Sequence, residues 1–435
     1  MNISKYNILS KIKDRNDYFL VNLLSGNADI MTADEAKKFT DGNMNKNPDF
    51  IKKGYIVDPS EEQKLYRQKY LNFIDDRDND EIQIFFVTTY ACNFKCSYCY
   101  QSGYNNTPLP LQKEIIDSFF DYINQNFRNR KKYITLFGGE PLLNGAQYKE
   151  KIKYFLELCN THKLEVAIVT NGYYITDYIE ILKNSNIREV QVTLDGLPEM
   201  HNNRRYITKG QDTFHKITEG IDLLLNNNIS VNLRIVLDKE NLGELPGLAS
   251  YAIEKRWTSN PLFKTQLGRN YELHYCQTEN TKLFSRLEMY ESIYDLITEY
   301  PEILEFHKPA FSISKYLFEN GKLPDPLFDS CPGCKTEWAF DFEGGIYSCT
   351  ATVGKKEEQL GTFYPETKLD TDRVEKWETR DVLSIEKCKD CSVQLACGGG
   401  CASIAKNACG NLLSPDCRPV TELLELGIAL YNKGS

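Results

Sequence analysis

Cysteine thiols are the side chains of this sequence whose spacing points most directly to chemistry. The chain has 435 residues and 14 cysteines. Cys92, Cys96 and Cys99 are spaced C-x3-C-x2-C, and nine more cysteines fall between residues 331 and 417. In a reducing compartment disulfides are rare, so such groups more often bind metal or take part in redox chemistry. The spacing therefore predicts metal centres in two separate parts of the chain.

The first group has a ligand number that favours an iron–sulfur cluster. Three thiolates on one short loop can hold three corners of a cubane and leave the fourth iron open for another ligand. A closed zinc site needs a fourth protein ligand, usually His or Cys. None of the five histidines lies near this loop in the sequence. A ligand from a distant segment keeps zinc open as an alternative, and buried free thiols are another.

The second group is large enough for more than one metal centre. Two C-x2-C pairs suit a zinc ribbon, which is the simpler interpretation. Nine cysteines, however, exceed what one zinc ion uses and suit two clusters of four thiolates with one to spare. They are Cys331, Cys334, Cys349, Cys388, Cys391, Cys397, Cys401, Cys409 and Cys417.

Three polar motifs elsewhere each follow a predicted strand: Gly138-Gly139-Glu140, Thr170-Asn171-Gly172 and Thr193-Leu194-Asp195-Gly196. The carboxyl ends of parallel strands are the edge where α/β enzymes gather their sites. Paired glycines let the backbone approach a ligand closely, and a glutamate can receive an ammonium group. One such motif alone usually marks only a turn. Together with the cysteine loop they predict a single site.

The elements that position these motifs alternate between strand and helix. Apolar runs at 82–87, 133–137, 166–169, 190–194, 231–237 and 273–275 are separated by helix-length segments. Such alternation predicts an α/β fold with parallel strands and crossover helices. Six units are fewer than the eight of a full barrel, so we expect a partial (βα)6 TIM-like barrel, although an open sheet also fits.

Two further units flank this region, giving predicted domains of 1–80, 81–305 and 306–435. The first has strands near 6–12 and 18–24, a helix from Thr32 with Glu35 at capping-box spacing, and a helix over 61–73. An Asp-rich run at 75–80 reads as a solvated linker. The last unit is irregular and rich in cysteine, so its stability is expected to depend on bound metal, and it ends in a helix over 421–431.

The C-x3-C-x2-C loop with Tyr98 before its third cysteine resembles the signature of the radical S-adenosylmethionine (SAM) enzymes. The resemblance implies a [4Fe–4S] cluster whose open iron chelates the amino and carboxylate groups of SAM. Reductive cleavage of SAM would then give methionine and a 5′-deoxyadenosyl radical. By the same resemblance, Gly138, Gly139 and Glu140 bind the amino group, the backbone around Tyr98 contacts the adenine, and Thr193 and Arg205 also bind SAM.

The C-terminal spacing, including Gly344-x4-Cys349, resembles the SPASM domain of radical SAM enzymes that modify peptides. The resemblance implies an inner auxiliary cluster on Cys331, Cys334, Cys349 and Cys401, and an outer one on Cys388, Cys391, Cys397 and Cys417. With the first cluster this makes three. Cys409 has no assigned partner and is the alternative to Cys417. If Cys331 does not bind, the inner cluster has an open iron for a substrate thiolate. Cys159 and Cys276 are expected to be ordinary core thiols.

These resemblances imply a maturase that forms a thioether or carbon–carbon cross-link in a ribosomally made peptide, with flavodoxin or ferredoxin as electron donor. Oxidation of a Cys or Ser side chain, as in anaerobic sulfatase maturases, is the alternative within this chemistry. In those relatives an Asp acting as base follows the cysteine equivalent to Cys349, whereas this chain has Thr350. Outside this chemistry, an iron–sulfur electron carrier or a zinc-binding protein remains open.

The N-terminal unit and the charge of the chain bear on its partners. Residues 1–73 are similar in pattern to the winged-helix units that hold a precursor leader by strand addition, and a structural decoration is the alternative. The basic run 128–132 could attract an acidic leader or simply end a helix. The net charge of −9 argues against nucleic-acid binding. No membrane-length apolar run or signal peptide is visible, so we expect a cytoplasmic protein without membrane association.

Overall fold

The computed structural model describes residues 1–104, 111–269 and 282–432. Its α/β fold is built on one large and mostly parallel sheet. The strands are β1 Asn2–Ile3, β2 Asn7–Lys11, β3 Tyr18–Asn22, β4 Asn27–Met31, β5 Ile56–Val57, β6 Ile82–Val87, β7 Lys132–Phe137, β8 Val166–Thr170, β9 Ile187–Thr193, β10 Val231–Leu237, β11 Phe263–Arg269, β12 Glu337–Asp341, β13 Gly345–Tyr347, β14 Gly361–Thr362 and β15 Lys368–Leu369.

The α-helices occupy the connections and the two flanking units. They are α1 Ala33–Thr40, α2 Pro48–Lys52, α3 Pro59–Asn79, α4 Lys113–Asn126, α5 Ala146–Thr161, α6 Ile175–Lys183, α7 Pro198–Arg204, α8 Phe214–Asn226, α9 Leu245–Glu254, α10 Arg286–Glu299, α11 Ile303–Phe306, α12 Ser314–Asn320, α13 Thr371–Glu378, α14 Gln394–Cys397, α15 Ala402–Cys409 and α16 Val420–Tyr431. In these described parts of the chain no helix is long and apolar enough to cross a membrane.

The large sheet has the order β11-β10-β9-β8-β7-β6-β12-β13-β14-β15. Strands β6 to β11 all run parallel to their neighbours, as a partial barrel requires. Strand β12 also lies parallel to β6, and β13 to β15 continue the sheet in antiparallel fashion. The predicted α/β class with six parallel units is therefore confirmed. The cysteine-rich C-terminal unit contributes four strands to the same sheet, so it is less irregular than its sequence suggests.

The sixth parallel strand of the described sheet is not among the apolar runs predicted from the sequence. Residues 273–275 lie outside the described part of the chain, and the strand seen beside β10 is β11. In β11, Phe263, Thr265 and Leu267 alternate with Lys264 and Gln266. This alternation is typical of a strand at the edge of a sheet with one polar face. Strand β11 was not predicted because it contains no continuous apolar run.

The core lies between the sheet and its outer helices. Helix α4 carries an apolar stripe that includes Ile116, Phe119 and Ile123, all fully buried. Phe119 packs against Phe86 of β6 with ring centroids 4.5 Å apart. Burial of such a side chain contributes about 1.5–3 kcal/mol, so these contacts hold the strand from which the cysteine loop departs.

The N-terminal unit packs on the rest of the molecule through helix α3. Asp58 caps this helix and Pro59 begins it, and the helix continues to Asn79. The Asp-rich run is thus mostly helical, and the prediction of a linker over 75–80 is wrong because no helix-breaking residue precedes Asp80. Tyr66 and Tyr70 of α3 pack edge-on against Phe328 of the C-terminal unit. The capping box predicted at Thr32 is present at the start of α1.

Candidate functional site

The loop with Cys92, Cys96 and Cys99 leaves the carboxyl end of β6 and is pinned from the other side of the barrel. The backbone N–H of Lys95 donates to the carbonyl oxygen of Tyr206 at 2.7 Å, and the N–H of Ser97 donates to that of Arg204 at 3.0 Å. The segment that follows β9 and α7 therefore fixes the path of the cysteine loop.

The two glycines after β7 are needed because the cysteine loop passes directly over them. The N–H groups of Gly139 and Glu140 donate at 2.9 Å to the carbonyl oxygens of Thr89 and Ala91. A Cβ atom on Gly139 would lie 2.2 Å from the oxygen of Ala91, and one on Gly138 would lie 2.3 Å from that of Thr89. In this structure the backbone that approaches the glycines closely is that of the loop beginning the cysteine motif.

Glu140 joins two of the predicted motifs. Its buried carboxylate accepts hydrogen bonds from the backbone of Leu142 at 2.8 Å, from the hydroxyl of Thr170 at 2.7 Å and from the backbone of Asn171 at 2.7 Å. Burial raises the pKa of Glu140, and these hydrogen bonds oppose the rise. The Asn171 amide in turn donates to Asn93 at 2.8 Å, next to Cys92.

Arg205 reaches the cysteine loop from the other side. Its guanidinium donates a hydrogen bond of 2.6 Å to the hydroxyl of Tyr98. Burial raises the pKa of Cys92 to about 12 and that of Cys96 to about 11, and the charge of Arg205 partly offsets the second shift. These two thiols are therefore protonated at neutral pH until a metal displaces the protons.

Acidic residues that follow β9 and β10 hold this arrangement. Asp195 belongs to the predicted motif after β9, where it had no predicted role, and Asp238 was not predicted from the sequence. Both carboxylate oxygens of Asp238 accept hydrogen bonds from the guanidinium of Arg204, each at 2.9 Å. Asp195 accepts from the backbone of Val236 at 3.0 Å. Its own N–H donates to Nδ1 of His201, whose pKa burial lowers well below the usual range. The available signal for Asp238 was an aspartate directly after an apolar strand.

Thr193 ends β9 and is buried opposite Arg234 of β10. The Nε atom of Arg234 is buried and has no hydrogen-bond partner among the described residues. Burial raises the pKa of Tyr100. Cys99 and Cys349 add to this rise, and the positive charge of Arg234 opposes it. Tyr100, which directly follows Cys99, is therefore near enough to Cys349 for that thiol to influence its pKa. The signal in the sequence was one arginine in the otherwise apolar end of β10.

The C-terminal cysteines gather in two sets. Burial raises the pKa of the Cys349 thiol, and Cys331 and Cys401 add to this rise. Burial also raises the pKa of Cys334, and Cys349 and Cys331 add to that rise. These four are the residues assigned by resemblance to the inner cluster, and each lies near enough to another of the four for their charges to interact.

The second set contains the other four. Burial raises the pKa of Cys388 to about 11, and Cys397, Cys391 and Cys417 add to this rise. Cys409 is exposed at the end of α15, while Cys159 is buried in α5. Cys276 lies outside the described residues.

The three groups of thiols are chemically suited to bind iron–sulfur clusters. Each of the two C-terminal sets has four thiols, and the β6 loop has three. Across residues 1–104, 111–269 and 282–432, no three His, Cys, Asp or Glu side chains are grouped so that they could hold one metal ion. Four thiolates suit a [4Fe–4S] cluster, and three leave its fourth iron open for another ligand.

Comparison with known proteins identifies the class of enzyme. Residues 86–252 match the family model described as the radical SAM superfamily. The chain therefore contains a radical SAM domain and is an enzyme, as the cysteine loop predicted. Enzymes of this class use a [4Fe–4S] cluster together with SAM.

Among curated proteins, the chain is 26% identical over 352 residues to the serine-type anaerobic sulfatase-maturating enzyme of Bacteroides thetaiotaomicron, covering 72% of this chain and 80% of that protein. It is 25% identical over 329 residues to the cysteine-type enzyme of Clostridium perfringens, covering 72% and 86%. It is also 28% identical over 241 residues to the GTP 3′,8-cyclase of Helicobacter pylori, covering 54% and 68%.

Two solved structures share the fold. Native anSMEcpe with bound AdoMet superposes with a TM-score of 0.62 at 20% identity, covering 80% of this chain and 99% of that one. Streptococcus suis SuiB bound to the precursor peptide SuiA superposes with a TM-score of 0.52 at 15% identity, covering 92% and 95%. The α/β fold is therefore shared with these two proteins.

Proposed function

We propose that this enzyme is a radical SAM maturase that cross-links a ribosomally made peptide and carries two auxiliary clusters. The observation that supports this most is the contact between the segment after the cysteine loop and the segment after Cys349, since the hydroxyl of Tyr104 donates to the carbonyl oxygen of Val353 at 3.3 Å. A substrate carbon held near this contact would be close to both the SAM site and the inner thiol set. The proposed domains, 1–80 for the peptide, 81–305 for SAM and 306–435 for the auxiliary clusters, follow from this arrangement.

Residues of this chain would hold and orient SAM. When bound at the reduced cluster on Cys92, Cys96 and Cys99, SAM supplies a radical that abstracts hydrogen from an unactivated carbon. Glu140 would accept the SAM ammonium group, for which its buried carboxylate is already oriented by three hydrogen bonds. Arg205 and Thr193 would bind SAM from the β9 side, and the backbone around Tyr98 would contact the adenine.

The two C-terminal thiol sets would hold the auxiliary clusters. Cys331, Cys334, Cys349 and Cys401 form the inner set, and Cys388, Cys391, Cys397 and Cys417 the outer set. Closing a cross-link after one hydrogen abstraction leaves a surplus electron, which the auxiliary clusters would take up and pass to the exterior. A flavodoxin or ferredoxin would reduce the catalytic cluster.

The N-terminal unit would hold the leader of the precursor. Strand β4 pairs with β3 and forms the edge of its three-stranded sheet. Ile30 on this edge is 51% exposed. An added strand would satisfy the free backbone groups of β4 and cover Ile30. In the basic run, Arg130 and Lys132 donate to backbone carbonyl oxygens, which favours the interpretation of this run as a helix end.

The leader site can be tested separately from catalysis. Ile30→Asp should weaken binding of the precursor by at least about tenfold, since it places a charge against the incoming strand. Leu71→Asp, at an apolar position on α3 that is also more than half exposed, is the control. Equal weakening by both variants would contradict a leader site at β4.

Oxidation of a Cys or Ser side chain is the second candidate. The curated sulfatase-maturating relatives favour it, and so does one contact. Thr350 lacks a carboxylate, but its backbone N–H donates at 3.1 Å to the carboxylate of Glu337. Burial raises the pKa of Glu337 to about 7. A carboxylate suited to act as a base is thus present beside Thr350.

Iron analysis and product mass test the proposal. Three clusters require about 12 irons per chain, at four irons each. The reconstituted, reduced enzyme is incubated anaerobically with SAM and the small peptide encoded beside its gene. Loss of two hydrogens without reaction toward a hydrazine indicates a cross-link. A hydrazine-reactive aldehyde supports the second candidate. A few zinc ions with no sulfide would contradict both.

A further inference from the structure

Three charged side chains with no place in the proposed SAM site are buried between the two C-terminal thiol sets. The side chains of Asp329, Lys335 and Arg380 are exposed by only 1%, 3% and 0%. The ammonium of Lys335 lies 2.5 Å from Asp329, and the guanidinium of Arg380 lies 3.9 Å from the same carboxylate. Burial of charge costs several kcal/mol per ion, and apolar residues of similar volume often serve stability better.

Together these three side chains carry a net charge of +1. Of the nearby carboxylates, Asp416 accepts the backbone N–H of Cys401 at 3.1 Å but is itself paired with Arg286 at 3.3 Å. Glu378, which influences Cys334, is exposed.

Arg380 ties together segments that belong to both thiol sets. Its guanidinium donates to the carbonyl oxygens of Gly399 at 2.9 Å and Gly400 at 3.0 Å, in the turn between Cys397 and Cys401. It also donates to Leu412 at 2.8 Å and Ser414 at 3.0 Å, in the segment that leads to Cys417. Cys397 and Cys417 belong to the outer set, whereas Cys401 belongs to the inner set.

Lys335 and Asp329 hold the other side of the inner set. Lys335 follows Cys334 directly and donates to the carbonyl oxygens of Arg380 at 2.9 Å and Cys331 at 3.4 Å. The carboxylate of Asp329 accepts the backbone N–H of Cys331 at 3.0 Å. The chain of contacts from Cys331 through Asp329 and Lys335 to Arg380 therefore ends in the turn that joins Cys397 of the outer set to Cys401 of the inner set.

We propose that Lys335 and Arg380 are positioning residues that hold the two auxiliary clusters in a fixed relation and raise their reduction potentials. The inference rests on the proposed function, since it needs clusters on both thiol sets. A cluster with four thiolate ligands carries net negative charge, and its reduction adds a further electron. Net charge and hydrogen bonding around a cluster set its potential. A buried positive charge beside both clusters favours the reduced forms and so helps them accept the surplus electron of the substrate.

Charge variants of opposite sign test this inference on the full-length holoenzyme. A background with Cys92, Cys96 and Cys99 changed to alanine removes the catalytic cluster and leaves about eight irons per chain. The auxiliary potentials are then measured by redox titration followed by electron paramagnetic resonance. Lys335→Met and Arg380→Met should shift them to more negative values, and Asp329→Asn to more positive values. Lys335→Arg and Arg380→Lys, which keep the charge, should shift them less.

Iron content separates the possible failures. Full iron with equal potentials in Lys335→Met, Asp329→Asn and the unsubstituted background would overturn the inference. Loss of iron in both Arg380 variants, with unchanged potentials in Lys335→Met and Asp329→Asn, would show that the three charged residues have only a structural role. That result would also overturn the inference. An absence of iron from the C-terminal sets of the unsubstituted enzyme would contradict the proposed function instead.

Discussion

The Arg205 guanidinium donates a 2.6 Å hydrogen bond to the hydroxyl of Tyr98, which lies between Cys96 and Cys99 in the cysteine loop. Arg205 follows α7, so the bond joins the loop after β6 to the segment after β9. Two residues assigned by resemblance to SAM binding are thus in direct contact. The binding of SAM and the shape of the cluster loop are expected to depend on each other.

Replacement of Arg205 tests this link. Arg205→Gln removes a buried charged donor, worth about 1.5–3 kcal/mol, and should weaken SAM binding by about tenfold to a hundredfold. Tyr98→Phe removes only the acceptor and should weaken it less. Equilibrium binding of SAM to the reconstituted enzyme is the measurement. An unchanged dissociation constant in Arg205→Gln, at full iron content, would argue against a SAM contact.

The packing of Gly139 against Ala91 predicts a loss of stability on adding one methyl group. Gly139→Ala places a Cβ atom 2.2 Å from a backbone oxygen, so the cysteine loop must move. Overpacking of this kind costs about 1–3 kcal/mol, and cluster retention should fall with it. Gly243→Ala is the control, since a Cβ atom there meets nothing within 4 Å. Denaturant unfolding and iron content would measure both effects, and equal behaviour of the two variants would refute the packing argument.

Much of this arrangement could be predicted because its signals are local. The C-x3-C-x2-C spacing and the motifs at strand ends need only the order of residues, and the apolar runs of β6 to β10 mark parallel strands. The partners of these motifs could not be predicted. Asp195 and Asp238 meet Arg204 only once β9 and β10 are paired, and no sequence pattern sets that register. Strand β11 was missed because one of its faces is polar.

The long-range contacts of the C-terminal unit likewise could not be predicted from the sequence. Its cysteine spacing divides the thiols into two sets by resemblance, but it gives no reason to connect Lys335 with Arg380, which lie 45 residues apart. The extension of the main sheet by β12 also depends on long-range pairing with β6. Helix α3 continues beyond its predicted end at residue 73. The prediction stopped there because an acidic run at the end of a helix has the same composition as a solvated linker.

Iron binding by the first cysteine loop should weaken as the pH falls. The pKa of Cys92 is about 12 and that of Cys96 about 11, so both thiols must lose a proton to bind iron. Each released proton makes the apparent affinity rise about tenfold per pH unit, and it falls by the same factor on acidification. Iron retained against a chelator of constant protonation state, from about pH 6.5 to about pH 8.5, measures this. Retention independent of pH would contradict the assignment of these thiols as ligands.

Arg234 is expected to bind the peptide near the reacting carbon. Its Nε atom is buried without a hydrogen-bond partner in the described residues, and the charge of Arg234 opposes the burial that raises the pKa of Tyr100. Arg234→Gln should raise the KM for the peptide by about tenfold, the effect of losing about 1.4 kcal/mol, and leave SAM binding unchanged. Arg234→Lys should recover part of the loss. A change in SAM affinity with an unaltered peptide KM would move Arg234 from the peptide site to the SAM site.

Cleavage of SAM by the first cysteine loop is the central claim, and formation of 5′-deoxyadenosine measures it most directly. The reconstituted enzyme is incubated anaerobically with SAM and a strong reductant. The unsubstituted enzyme and the control Cys409→Ala, changed at an exposed thiol, should both form 5′-deoxyadenosine. The variant with Cys92, Cys96 and Cys99 replaced by alanine should form none above background. Equal formation by this variant would contradict the account.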